Sequence, residues 1–144
     1  MRNTTKEILR NNKQISRSNA IYRKFSMKCS IPESELQILY CLSLSSNGSP
    51  IQEMIDFTNL PKQTINSALR NMEKKEWIVL EKINSKNKKA ILTDKGKEVS
   101  NRTAQRILNL ESEVFKSFPK NIVDEYLKFM DEYLDKLEEK TKEF

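Results

Sequence analysis

A mainly α-helical domain carrying one small β-hairpin is the fold class this sequence predicts, and three observations predict it. Only two Gly and four Pro occur in 144 residues, too few for the many tight turns of an all-β chain. Apolar residues recur at three- and four-residue spacing over most of the length, the repeat of a helix with one buried face. That spacing gives way once, between Trp77 and Leu92, to a β-rich run, a polar turn and a second short run. The length fits a single domain able to bury a core. No internal repeat, low-complexity segment or domain boundary is visible.

The elements follow in order. Ile8, Ile15, Tyr22 and Phe25 stand at heptad-like spacing among polar residues and predict a helix over about 4–28. Ser30-Ile31-Pro32-Glu33 has the form of a capping box that opens a second helix. Leu36, Leu39, Tyr40 and Leu42 to Leu44 give that helix a broad apolar face, and Asn47-Gly48 ends it. Ser49-Pro50-Ile51-Gln52 reads as another cap, ahead of a short helix with Ile51, Met54, Ile55 and Phe57 apolar. Thr58 to Pro61 make a turn. The next helix runs from about Lys62 to Lys75, with Ile65, Ala68, Leu69 and Met72 inward. Trp77 to Ile83 and Ala90 to Leu92 are strands joined by the polar turn 84–89. Thr93-Asp94-Lys95-Gly96 starts one long helix to about Phe118, with Val99, Thr103, Ile107, Leu110, Val114 and Phe118 along one face. Pro119 breaks it, and a last helix from about Ile122 to Lys140 lines up Ile122, Tyr126, Phe129, Met130, Tyr133 and Leu137.

Composition excludes several kinds of chemistry. There is no His, which removes Ser-His triads and zinc-His sites. Glycine occurs only at 48 and 96, so no Gly-rich phosphate loop exists. The acid pairs Asp131-Glu132 and Glu138-Glu139 lie beside lysines as surface charge. An enzyme is not expected, and no metal or cofactor site is predicted. No apolar run nears the roughly 20 residues of a membrane span, and the N-terminus lacks a signal peptide's apolar stretch. The expectation is a cytoplasmic protein with no membrane partner. Cys29 and Cys41 are not in CxxC spacing, and Cys41, among Leu39, Tyr40 and Leu42, reads as a core residue. Cys29 falls just beyond the first helix, so neither cysteine is placed within it.

The charge distribution says more than the net +6. Residues 1–28 carry eight bases and one acid, residues 29–60 four acids and no base, and residues 61–90 eight bases and three acids. The last stretch, 111–144, is acidic, with ten acids against six bases. A basic block in mid-chain and an acidic one at the end imply one surface for phosphate and another for something else.

Two short helices joined by a tight turn, the second rich in Gln, Thr, Asn, Ser and Arg, is helix-turn-helix grammar. Gln63, Asn66, Ser67 and Arg70 fall opposite Ile65, Leu69 and Met72. Amide and hydroxyl groups there can donate to and accept from base edges, and Arg can fork onto guanine. Lys62, Thr64 and Lys74 extend this candidate DNA-binding set. The hairpin adds Lys82, Lys86, Lys88 and Lys89 around its tip, suited to phosphate or the minor groove. The bland alternative for both is a solvated helix face and a turn kept soluble by lysines. Adjacent in sequence and suited to one ligand, the two features strengthen each other.

At this point the sequence resembles the MarR family of winged helix-turn-helix transcriptional regulators over nearly its whole length. Pro32 to Leu42 (PESELQILYCL) is similar to that family's second helix. Leu60 to Ile78 (LPKQTINSALRNMEKKEWI) resembles its recognition helix and the start of the wing. Asn84 to Lys86 occupies the wing tip, and ILTDKG, Ile91 to Gly96, resembles the family's exit from the wing. The resemblance implies a recognition helix at 61–75 in the major groove of double-stranded DNA and a wing at 78–92 on the backbone or minor groove. Where the family carries Asp-x-Arg at the wing tip, this chain has Asn84-Ser85-Lys86. A Lys is a point charge without the Arg fork, so phosphate contact is what remains expected there. Glu76 stands where a Gly usually precedes the first wing strand.

The resemblance also implies a homodimer built from the first and last helices, 1–28 and 97–144, around a DNA-binding portion at 30–95. The residues agree. Val114, Phe118, Tyr126, Phe129, Met130 and Tyr133, with Ile8, Ile15 and Tyr22, form apolar stripes wider than a small winged domain buries alone, and a two-fold dimer is what paired half-sites demand. Many members of the family hold a small aromatic effector in the dimer core, so such a ligand is a further partner to consider. The competing class is a protein-interaction module, a winged helix whose basic face meets an acidic protein.

Overall fold

A computed structural model describes residues 1–144, which divide into two compact units, Met1–Ile107 and Leu108–Phe144. The chain is mainly α-helical with a small antiparallel sheet. In the first unit, helix α1 (Thr5–Cys29) ends on Ser30 in the left-handed region, φ 55°. Ser30 is therefore the C-terminal cap of α1 and not the first residue of a capping box. Pro32 caps helix α2 (Glu33–Ser43), with no side-chain bond. Cys29 proves to be the last residue of α1, one position further than the apolar spacing predicts.

Helix α2 stops at Ser43, earlier than Asn47-Gly48, and Leu44 is exposed rather than part of the apolar face. The residues between form a turn in which the Ser45 hydroxyl donates to the Gly48 carbonyl. Gly48 has φ +83°, and a Cβ there would come within 2.5 Å of the Ala90 carbonyl oxygen. That close approach reflects a strand the sequence does not announce, β1 (Ser49–Pro50), paired with the second strand of the hairpin. Ser49-Pro50 is thus strand and backbone cap, not a side-chain cap. Pro is tolerated because the strand lies at the sheet's edge.

Helix α3 (Ile51–Thr58), the turn at Asn59 to Pro61 and helix α4 (Lys62–Lys74) make the helix-turn-helix. Asn59 takes φ 53°, and the Thr58 hydroxyl both donates to the Met54 carbonyl and accepts from Leu60 N–H. Phe57 lies on the outside of α3, exposed but stacked on Tyr40 at 6.1 Å between ring centroids. Strands β2 (Ile78–Lys82) and β3 (Lys88–Leu92) form the hairpin, and the sheet order is β1-β3-β2. Glu76, before β2, sits at φ 61°, the left-handed conformation that Gly adopts at least cost.

The expected single long helix is two. Helix α5 (Asp94–Arg102) ends at Thr103, φ −126° and ψ −93°, and helix α6 (Ala104–Lys116) follows. The Thr103 hydroxyl donates to the Val99 carbonyl at 2.7 Å, the back-bonding by which β-branched hydroxyl residues bend helices. The core of this unit gathers Leu36, Ile38, Leu39, Cys41, Leu42, Met54, Ile65, Leu69, Met72, Ile78, Val99 and Ile107. Its buried polar side chains are partnered: Ser43 and Ser100 share a hydroxyl hydrogen bond of 2.5 Å, and Glu35 accepts from Lys75 at 2.7 Å.

In the second unit, Pro119 caps helix α7 (Lys120–Thr141). No residue of α7 is buried, and Ile122, Tyr126, Leu127, Phe129, Tyr133, Leu134 and Leu137 are exposed, Phe129 at 62 %. Val114 and Phe118 are exposed as well. No helix is long and apolar enough to cross a membrane.

Candidate nucleic-acid interface

Helix α4 owes its orientation to four inward residues. Ile65, Ala68, Leu69 and Met72 are buried, and that fixes what the other side offers. Gln63, Ser67, Arg70 and Lys74, at spacings of four, three and four, form an exposed line opposite them. Lys62 and Thr64 are exposed beside this line near the helix start, while Asn66 is half-buried on its flank. The Arg70 guanidinium reaches the Ser67 hydroxyl at 3.4 Å, a long contact that leaves the fork available. Because Pro61 caps α4 without a side-chain bond, the N–H groups of the first turn remain open to an anion.

The far end of α4 is locked to α2 and to the wing. Lys75 bonds the Glu35 carboxylate, whose side chain is 3 % exposed, and also sits 4.5 Å above the Trp77 ring. A buried carboxylate needs such a partner, so α2 holds the junction between α4 and the hairpin. The sequence offered no signal for this triad, since Glu35 and Lys75 lie 40 positions apart.

Beyond Trp77 the hairpin register pairs Ile78 with Leu92, Leu80 with Ala90, Glu81 with Lys89 and Lys82 with Lys88. The last pair sets like charges directly across from each other, which destabilises a sheet unless an anion intervenes. Lys86, in the tip, and Lys88 are exposed, whereas Lys89 is half-buried across from Glu81. Asn84 organises the tip: its side-chain oxygen accepts from the N–H groups of Lys86 and Asn87, both at 2.9 Å. Its carboxamide therefore braces the loop backbone that presents Lys86.

The wing returns to the helices through Thr93. Its hydroxyl accepts from Gly96 N–H at 3.0 Å, capping α5, and donates to the Glu76 carbonyl at 2.5 Å. Its N–H donates to the Trp77 carbonyl at 3.0 Å. Gly96 packs so closely on that carbonyl that a Cβ would lie 1.9 Å from the oxygen. The ILTDKG stretch thus has a physical task, to seat α5 against the start of the wing. Away from this surface, Cys41 is buried, and desolvation first, then the nearby Glu53 charge, raises its thiol from an ordinary 9.0 to about 11.

The arrangement is that of a winged helix-turn-helix domain: a two-helix motif with an outward polar line, followed by a cationic hairpin. Neither a protein-family model nor a curated protein sequence matches the chain, but solved structures do. It is similar to NMB1585, a MarR family regulator from Neisseria meningitidis, with a TM-score of 0.82 at 15 % identity over 95 % of this chain and 97 % of that one. It is similar to Sco3205, a MarR family transcriptional regulator from Streptomyces coelicolor in complex with DNA, with a TM-score of 0.70 at 21 % identity over 95 % and 91 %. CouR from Rhodococcus jostii RHA1, bound to p-coumaroyl-CoA, matches with a TM-score of 0.61 at 14 % identity over 81 % and 86 %. The chain has the fold of MarR family transcriptional regulators.

Proposed function

We propose that this protein is a MarR-type transcriptional regulator that binds double-stranded DNA sequence-specifically as a homodimer. The observation that carries this reading is the exposed line Gln63, Ser67, Arg70 and Lys74 set opposite the buried face of α4. Lys62, Thr64 and Asn66 flank it in the major groove, and Lys86, Lys88 and Lys89 with Lys82 hold phosphate from the wing. The Sco3205 complex with DNA supports the ligand class. Dimerisation is supported by Ile8, Ile15, Tyr22, Val114, Phe118, Tyr126, Phe129 and Tyr133, exposed side chains of a kind that contiguous interfaces cover, with the half-buried Met130 among them. A small aromatic effector is a further partner in this reading, by analogy with the ligand of CouR.

The test compares a duplex selected from the DNA beside the protein's own gene with a scrambled duplex. Arg70→Ala is expected to cost about 1–3 kcal/mol on the selected duplex and little on the scrambled one. Lys86→Ala with Lys88→Ala is expected to weaken both alike and to flatten the salt dependence by about 0.9 for each phosphate no longer neutralised. Wild-type protein that ignores DNA but captures an acidic protein would replace this reading with that of an interaction module.

A further inference from the structure

Helix α1 carries a second cationic surface, distant in sequence from α4 and the wing. Lys6, Arg10, Lys13, Arg17, Lys24 and Lys28 follow one another at spacings of four, three, four, seven and four residues. At 3.6 residues per turn this confines them to an arc of about 60°. All six are exposed. Ser26 and Cys29, which α1 packs inward near its end, fall on the far side, as do Ile8, Ile15 and Tyr22, and the half-buried Phe25 lies on the flank between.

No carboxylate neutralises this stripe. Glu7 is the only acid before Glu33, it is held by Arg2, and none of the six cations makes an ion pair. Lys6 and Arg10, Lys13 and Arg17, and Lys24 and Lys28 are like charges one turn apart, an arrangement that weakens a helix. A face kept only for solubility alternates the sign of its charges; this one does not. From Lys6 to Lys28 the helix rises about 33 Å, close to the roughly 34 Å of one turn of duplex DNA. A lipid surface fits less well, because an interfacial helix buries its apolar side in the headgroups, and on α1 that side meets the core at Ser26 and, in the homodimer reading above, the partner at Ile8, Ile15 and Tyr22.

We propose that the α1 stripe is a second, sequence-blind contact surface for the phosphate backbone of double-stranded DNA. It rests on the DNA-binding reading of α4 and extends it, since α4 selects sequence while α1 adds counterion-driven affinity for any duplex.

The test uses the full chain with Lys6→Gln, Arg10→Gln, Lys13→Gln and Arg17→Gln together, and a milder Lys13→Gln, Arg17→Gln variant should the first fail to fold. Affinity is expected to fall equally on selected and scrambled duplexes, leaving their ratio unchanged. The slope of log affinity against log salt is expected to become shallower by up to about 3.6 per subunit, for four phosphates each. A folded variant with wild-type affinity and slope overturns the proposal. So does a variant that loses binding to phosphatidylserine vesicles while its DNA binding is untouched, which assigns the stripe to lipid. If Arg70→Ala proves silent and the α1 variant still shifts the slope, the reading of α4 fails and the stripe stands.

Discussion

At Gly96, in the first turn of α5, helix propensity and steric fit oppose each other, and substitution by Ala decides between them. In an open helix Ala is better than Gly by about 1 kcal/mol. Here the added Cβ would lie 1.9 Å from the Trp77 carbonyl oxygen, 2.8 Å from its carbon and 3.1 Å from Leu92 Cδ2. Carbon approaches a carbonyl oxygen to about 3.3 Å at closest, so the two backbones must part by more than an ångström. They are tied at that place by Thr93 N–H to the Trp77 carbonyl and by the Thr93 hydroxyl to the Glu76 carbonyl. Overpacking of this kind costs about 1–3 kcal/mol, and breaking the Thr93–Trp77 bond adds about 1 kcal/mol. Less the propensity gain, Gly96→Ala is expected to destabilise the protein by about 1–3 kcal/mol. Urea unfolding measures it as a lower midpoint at unchanged slope. Trp77 is the only tryptophan, so its fluorescence reports the displacement directly. An Ala variant as stable as wild type, with unchanged emission, refutes the reasoning and leaves propensity as the larger effect.

Two further outcomes follow from the burial pattern. Because the folded thiol of Cys41 titrates near 11 against an ordinary 9.0, its contribution is fully present below pH 9 and is lost as pH rises towards 11. Alkylation at pH 8 followed by peptide mass mapping is therefore expected to leave Cys41 unmodified until the chain unfolds, and rapid labelling in the native state contradicts its placement. Phe129→Asp or Tyr133→Asp on α7 is expected to yield monomer or aggregate and to abolish specific DNA binding. Truncation of each ring to Ala is expected to cost about 3–5 kcal/mol of dimer stability if the partner fully buries it. Sedimentation that finds wild-type protein at the 16.9 kDa chain mass while it still binds its duplex tightly overturns the dimer.

What the sequence discloses depends on how local the physics is. Ile65, Ala68, Leu69 and Met72 repeat at helical spacing, and the side they bury decides where Gln63, Ser67, Arg70 and Lys74 point. The hairpin is equally local, since its strands and its polar tip follow one another without interruption. The capping signatures misled because each motif contains a Pro. With its fixed φ, Pro32 or Pro50 itself serves as the backbone cap, and the preceding Ser is displaced outside the helix. The break at Thr103 carries no Gly or Pro to mark it. A threonine hydroxyl turned back on Val99 produces it, and nothing in a 3.6-residue repeat distinguishes that threonine from one pointing at solvent. Strand β1 is invisible for a different reason: two residues have no period, and they become a strand only because β3 lies beside them.

The hydrophobic stripe on α7 shows where a helical repeat stops being informative. On α4 and on α7 apolar residues recur at the same spacing, so in sequence both announce a buried face. In the folded chain Ile65 and Met72 are fully covered, whereas Tyr126 stands 55 % exposed and Phe129 62 %. Periodicity states which side of a helix avoids water and is silent on what covers it. The charges carry the same ambiguity in the opposite sense. Lys120 with Asp124, Lys140 with Glu143 and Lys142 with Glu139 pair with neighbours three or four positions away, at the two ends of α7, as a solvated surface does. The cations of α4, the wing tip and α1 find no carboxylate of their own chain, apart from Lys75 at the junction and Arg2 at the terminus. Unpaired base and uncovered apolar surface, which on α1 occupy different sides of one helix, are separate requirements, each for a different partner. The proposed two-fold dimer on DNA would meet both at once, because its apolar faces would cover each other while two α4 helices were held at a fixed spacing along the duplex.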